Sequence, residues 1–277
     1  MVEINKAQVL RVESEDRSGY YLFCKEGEEA FLPGTLAPKG LKPGDDIEVF
    51  VFVGSNGDVI ATSQLPKVSV GEFACLRVTD TAHQGAYLDM GLPKELLVPN
   101  KLQKYEMNVG ETHLVMVLED EESQRLYGTT KISPYVETEI ITLQHRQGVK
   151  IIPYHRTPLG FKVLVDKKYL GMIYHNEIFE KIEMGKEYEA TVKDIRDDGH
   201  VDVLVGKTGF AGRKDSVAKL VEALENAGGA LPLHDRSPPE RIKTELGMSK
   251  KAFKAAIGML LKQQKLRLGD GCIELIR

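Results

Sequence analysis

Apolar and polar side chains alternate with a period of two through residues 1–212. Ile47-Glu48-Val49-Phe50-Val51-Phe52-Val53, then Gly54-Ser55-Asn56-Gly57, then Val59-Ile60-Ala61-Thr62 predicts strand, turn, strand. The pattern returns at Leu114–Leu118 and Leu126–Thr129, and again at Tyr188–Val192 and Val201–Val205. Glycines keep the same beat. Gly19 and Gly44, Gly85 and Gly110, and Gly160 and Gly185 are each 25 residues apart. The first of each pair opens a short apolar strand and the second lies in a turn, so the chain carries an internal repeat.

Each copy reads as five short strands in about 60–70 residues, the size of a Greek-key barrel of the OB type. A unit that small buries a thin core, which favours docking between units. Period two also assigns faces: Tyr20, Leu22 and Cys24 point inward in the first copy, Ala86, Leu88 and Met90 in the second, and Phe161, Val163 and Val165 in the third. Tyr21, Phe23, Tyr87 and Lys162 then point outward. Between the second and third copies, Ser133 to Gly148 is either a short connecting helix or an extended packed strap.

From Lys214 the period becomes helical. Val217, Leu220, Val221 and Leu224 mark one helix, closed by Gly228-Gly229. Ser237-Pro238-Pro239-Glu240 reads as a cap, a first-turn proline and a capping box for a second helix that Gly247 stops. Ser249 caps a third helix running to about Gln264, with Phe253, Ala256, Ile257 and Leu260 on its buried side and Lys251, Lys254, Lys262 and Lys265 on another. Leu266-Arg267-Leu268 and Cys272–Leu275 form a hairpin. Three helices and a hairpin make a winged helix. The expected fold is mainly β with a small α+β end domain: three tandem five-stranded OB-type barrels followed by a winged-helix domain. The expected bounds are 1–66, 67–132, a connector at 133–148, 149–212 and 213–277.

Composition is ordinary for a globular chain, with 42% hydrophobic and 28% charged residues. The net charge of −4 is unevenly spread: residues 213–277 hold 13 Lys+Arg against 8 Asp+Glu, while 1–212 hold 24 against 33. A basic module on an acidic body points to an anionic partner for that module. Cys24, Cys75 and Cys272 are isolated, which indicates neither a disulfide frame nor a zinc site. No stretch is long and apolar enough to span a bilayer, and Met1–Lys6 lacks the start of a signal peptide. The expected location is cytoplasmic.

The order of glycine turn, strand, Leu-Val-Pro-like strand and Gly-led hairpin resembles the S1-type RNA-binding domain. Leu159–Val163 with Gly171–Ile178 is the copy nearest that pattern, and the first two copies are more divergent. The resemblance implies stacking aromatics at Tyr21 and Tyr87, with Lys162 standing at that position in the third copy. Tyr174 falls where the S1 family often has a histidine facing RNA, whereas the first two copies have Pro33 and Pro99 there. Asp235–Glu240 followed by Ser249–Gly258 resembles the C-terminal domain of the conserved virulence factor B family, and the order of modules extends that similarity over essentially the whole chain. It implies RNA binding and post-transcriptional regulation without known catalysis.

The candidate nucleic-acid-binding residues are therefore Tyr21, Tyr87, Lys162, Tyr174, Lys251, Lys254, Lys262 and Arg267, contacting single-stranded RNA by stacking and backbone charge with low sequence preference. The lysine stripe of the third helix offers no Asn, Gln or central Arg for reading bases. Two alternatives stand beside this reading: a winged-helix regulator binding duplex DNA, and a ribosome- or protein-associated adaptor. No catalytic residue, metal or cofactor is expected. Gly206-Lys207-Thr208 copies the tail of a phosphate loop, but Val201 occupies the earlier glycine position. The histidines lack ligand spacing, and Asp197, Asp198 and Asp202 around Gly199 read as a solvated turn.

Overall fold

The structure, a computed structural model, describes residues 2–23, 29–54, 56–178, 181–205 and 209–276. Cys24 and Gly206-Lys207-Thr208 lie outside them. The chain divides into two compact units, Met1–Tyr135 and Val136–Arg277.

The first unit holds two closed five-stranded barrels. In barrel 1 the strands are β1 (Lys6–Glu15), β2 (Gly19–Phe23), β3 (Glu29–Pro33), β4 (Asp46–Val53) and β5 (Val59–Thr62), in the order β1-β2-β3-β5-β4. Only β3 and β5 pair in parallel, at Phe31 and Ile60. Barrel 2 repeats the plan with β6 (Phe73–Ala82), β7 (Gly85–Leu88), β8 (Leu96–Pro99), β9 (Thr112–Glu119) and β10 (Leu126–Thr129). The inward residues are those that the alternation assigns: Leu22, Ala86, Leu88 and Met90 are all buried. Tyr20, only partly buried, packs against the same barrel 1 core. The β4 strand breaks the simple alternation. Val49 and Val51 fill the barrel, yet Phe50 and Phe52 on the opposite face are buried too, their rings stacked at 6.5 Å. Phe52 borders a small cavity with Met90, Leu92 and Leu126 of barrel 2. Across this joint the Asn5 amide donates to Gln124 O at 2.8 Å, and Lys94 Nζ donates to Val53 O at 3.1 Å. The docking expected of thin cores is thus present within this unit.

The second unit holds barrel 3, from β11 (Gly148–Thr157), β12 (Gly160–Val165), β13 (Tyr169–Tyr174), β14 (Tyr188–Ile195) and β15 (Val201–Val205), with the same strand order. All three barrels bend their first hairpin through one irregularity, at Val12/Ser14, Val78/Asp80 and Pro153/His155. The connector is the extended strap. After a 3-10 turn at Ser133–Tyr135, Ile141 and Leu143 pack on the barrel 3 core. The hydroxyls of Thr142 and Tyr169 are 2.9 Å apart.

The repeated glycines do two different jobs. A Cβ at Gly19, Gly85 or Gly160 would meet the carbonyl oxygen of Leu32, Val98 or Ile173 at 2.2, 2.2 and 1.8 Å, so the neighbouring strand leaves no room for one. Gly44, Gly110 and Gly185 instead sit at φ of 93°, 90° and 78°, and their N–H groups donate to Val12 O, Val78 O and Pro153 O.

The end domain comprises α1 (Gly209–Asn226), β16 (Ala230–Leu231), α2 (Pro239–Leu246), α3 (Lys250–Lys262), β17 (Leu266–Leu268) and β18 (Ile273–Leu275). Leu220, Leu224, Ile242, Phe253, Ala256, Ile257 and Leu260 share its core. Four details depart from the sequence reading. α1 starts at Gly209, inside the stretch assigned to barrel 3. A third strand, β16, joins the hairpin through β18. Ser237 does not cap α2: Pro238 is the cap residue and has no side-chain cap bond, while Ser237 Oγ accepts from His234 N–H at 2.9 Å. Pro238 therefore precedes the helix, and Ser237 closes the turn before it. Finally, α3 stops at Lys262, and Gln264 at φ 55° turns the chain, so Lys265 lies past the helix. Ser249 does cap α3, its Oγ accepting from Ala252 N–H at 3.1 Å.

Candidate nucleic-acid interface

On barrel 3, β12 and β13 pair Gly160 with Tyr174 and Lys162 with Met172. These four share one face, because Val163 and Ile173 on the other parity are buried in the core. Glycine opposite Tyr174 leaves that ring without a side chain across from it. Two cations flank it instead: Lys193 Nζ lies 5.6 Å and the Arg196 guanidinium 5.8 Å from the ring centroid. Arg196 Nη2 also donates to the Tyr174 hydroxyl and, at 2.6 Å, to Asp202 Oδ1. Lys193 Nζ is 2.6 Å from Glu177 Oε1. These carboxylate hydrogen bonds raise the pKa of both cations, so each stays charged. Lys162 is half-buried and makes no ion pair among the described residues.

Lys193 and Arg196 were not singled out from the sequence. Parity held the signal for Lys193, whose neighbour Val192 faces the core. Asp202 corrects the solvated-turn reading: it stands on β15, its side chain 13% exposed, and grips Arg196. Asp198 does belong to the turn, 3.1 Å from His200 N–H.

In the first unit the outward tyrosines have different company. Tyr21 lies 5.3 Å from its cross-strand partner Phe31, and its hydroxyl donates to Asp16 Oδ2 at 3.3 Å. The charge of Asp16 raises the Tyr21 pKa, with Glu29 adding to it, so this ring faces negative rather than positive neighbours. The Tyr87 hydroxyl accepts from Gln84 Nε2. Of the three tyrosines, Tyr174 has cations over its ring.

On the winged helix, Lys251, Lys254 and Lys262 are exposed along α3. Lys254 Nζ is 4.0 Å from Asp235 Oδ2, a loose pair that solvent screens. Arg267, a candidate for phosphate contact, pairs with Glu274 on the next strand, Nε to Oε2 2.5 Å. The cross-strand register that pairs Arg267 with Glu274 brings this about.

Comparison with known proteins adds the following. An S1 domain model matches residues 4–64, and a CvfB-like winged helix domain model matches residues 218–275. The S1 match falls on barrel 1, one of the copies read as divergent. Conserved virulence factor B of Staphylococcus haemolyticus is 27% identical, covering 99% of this chain and 95% of its own. Over nearly its full length the chain is similar to the conserved virulence factor B family. The Staphylococcus aureus protein of that name is also 27% identical, over 86% of this chain and 81% of its own. A crystal structure of a multidomain protein with nucleic acid binding domains from Streptococcus pneumoniae is 22% identical, covers 99% and 98% of the two chains, and has a TM-score of 0.45. S1 and winged-helix modules in one chain support nucleic-acid binding. Among the described residues no helix is long and apolar enough to cross a membrane.

Proposed function

We propose that the protein binds single-stranded RNA through barrel 3 and α3, with low sequence preference, and regulates gene expression after transcription. In this reading it works in the cytoplasm and catalyses no reaction. One observation carries it: Lys193 Nζ and the Arg196 guanidinium lie 5.6 and 5.8 Å from the Tyr174 ring centroid, so an aromatic platform stands beside two cations. A base stacked there contributes about 1–3 kcal/mol. The exposed α3 lysines extend the charge, and no Asn or Gln sits among them to read base edges.

The test is fluorescence anisotropy of the full chain with labelled single-stranded RNA and with duplex DNA across a salt series. RNA should bind more tightly, and Tyr174→Ala should weaken it about tenfold. Lys251→Glu with Lys254→Glu should weaken it further and flatten the salt dependence by about 1.4 in log–log slope, the share of two phosphates on a single strand. The exposed lysine stripe on α3 favours duplex DNA as the second reading. A wide margin for duplex DNA would establish that reading instead, and binding to neither would favour a protein adaptor.

A further inference from the structure

A second aromatic on barrel 3 lies apart from the Tyr174 face. Phe161 pairs across the sheet with buried Ile173, so its parity is inward, and the sequence reading assigned it to the core. It does not join that core. Standing one residue after Gly160 at the barrel rim, it meets the His175 ring edge-on at 5.5 Å and the Arg156 guanidinium at 6.0 Å. His175 is held from both ends: its N–H donates to Leu159 O at 3.0 Å, and its Nε2 lies 3.1 Å from Thr157 O. The ring that supports Phe161 is thus fixed before any ligand arrives.

Phe161 lines an open cleft of about 700 Å³ whose opposite wall is α2 of the winged helix. Among the described lining residues, cationic Arg156 and Lys181 come from the barrel side and Lys243 from α2, with Glu240 the one carboxylate and Ile178 and Ile182 apolar. A half-buried aromatic ring, an apolar strip and a surplus of positive charge fit one chemistry, a planar base carrying a phosphate. The cleft's openness suits a strand passing through rather than an enclosed small molecule.

We propose that this cleft is a nucleotide subsite, in which a base of the bound strand packs on Phe161 while its phosphate meets Arg156, Lys181 and Lys243. The inference rests on the single-stranded RNA reading above and assigns α2, rather than the lysine-bearing α3, as the winged-helix wall next to barrel 3.

The experiment uses the full chain and a labelled oligouridylate, read by anisotropy, with thermal melts to verify folding. Phe161→Ala should weaken binding about tenfold, while Phe161→Tyr, which keeps the ring, stays within about twofold. Lys181→Glu with Lys243→Glu should weaken binding severalfold and reduce the salt slope by about 0.7, the share of one phosphate on a single strand. Free uridine monophosphate should fail to displace the oligomer at concentrations where unlabelled oligomer succeeds. If the wild type binds RNA and both Phe161→Ala and the double lysine variant bind equally well, the subsite is wrong and the broader function stands. If the wild type binds no RNA, the broader function is wrong. Should Phe161→Ala not fold, the lysine pair decides alone, and unchanged affinity overturns the proposal. Displacement by the free mononucleotide at equal concentration would also overturn it, by making the cleft a small-molecule site.

Discussion

Replacing Gly19 and Gly44 by alanine, one at a time, separates the two reasons for glycine in barrel 1. At Gly19 a methyl group would lie 2.2 Å from Leu32 O and 2.9 Å from both Gly34 N and Pro33 Cα. All three obstacles are backbone, so relief requires β2 and β3 to part by about an ångström, which weakens the ladder from Gly19↔Pro33 to Tyr20↔Leu32. Overpacking a site that can relax costs about 1–3 kcal/mol, and a rigid backbone puts Gly19→Ala at or above the top of that range, about 3 kcal/mol. Gly44 is the opposite case. Its φ is 93° and nothing lies within 4 Å of the added carbon, so Gly44→Ala costs only the left-handed backbone, about 1–2 kcal/mol. For a unit of two docked barrels with a urea m-value near 1.5 kcal/mol/M, the midpoints should fall by about 2 M and about 1 M. Urea denaturation followed by circular dichroism gives both numbers, and hydrogen exchange at Leu22 and Leu32 localises the loss to barrel 1. The reasoning is refuted if Gly44→Ala costs as much as Gly19→Ala, or if Gly19→Ala leaves the midpoint unchanged.

Three further outcomes are expected. Ser237→Ala should cost about 1 kcal/mol by removing the acceptor of the part-buried His234 N–H, yet leave helicity unchanged, whereas Ser249→Ala should cost about as much and fray α3; amide exchange within α2 and α3 tells the two apart. Burial pushes the Cys75 thiol up to about 11, so at pH 8 its alkylation, followed by peptide mass spectrometry, should run roughly a hundredfold slower in the folded chain than in urea. Hydrogen bonds hold the carboxyls of Asp89 (from Lys67), Glu111 (from the Asn108 N–H) and Asp120 (from Ser123) below their usual range. Their contribution is present above the unfolded carboxylate pKa and lost as pH falls, so the urea midpoint should hold from about pH 8 to 5 and drop below about pH 4. A midpoint that rises on acidification would contradict this.

Short-range pattern was enough to determine the repeat, the inward residues of the barrels other than Phe161, and the helical faces of the end domain. Each depends on a period of two or 3.6 residues and on glycines whose spacing recurs, and such signals are complete within a few neighbours. Ser249 shows the same economy, since a cap bonds within its own turn. Tertiary register alone decided which charges remain available. Arg267 meets Glu274 across a hairpin, Lys193 meets Glu177 of the 3-10 turn His175–Glu177, and Arg196 is bound by an aspartate whose local sequence reads as a turn. It also drew Phe161 out of the core and up to the winged helix, because a barrel's inward parity buries a side chain only where the next layer closes above it. Facing direction is a local property of a strand, but the partner of a charge depends on the register across a turn, as Arg196 and Arg267 show, and the cover over a side chain depends on which element packs above it.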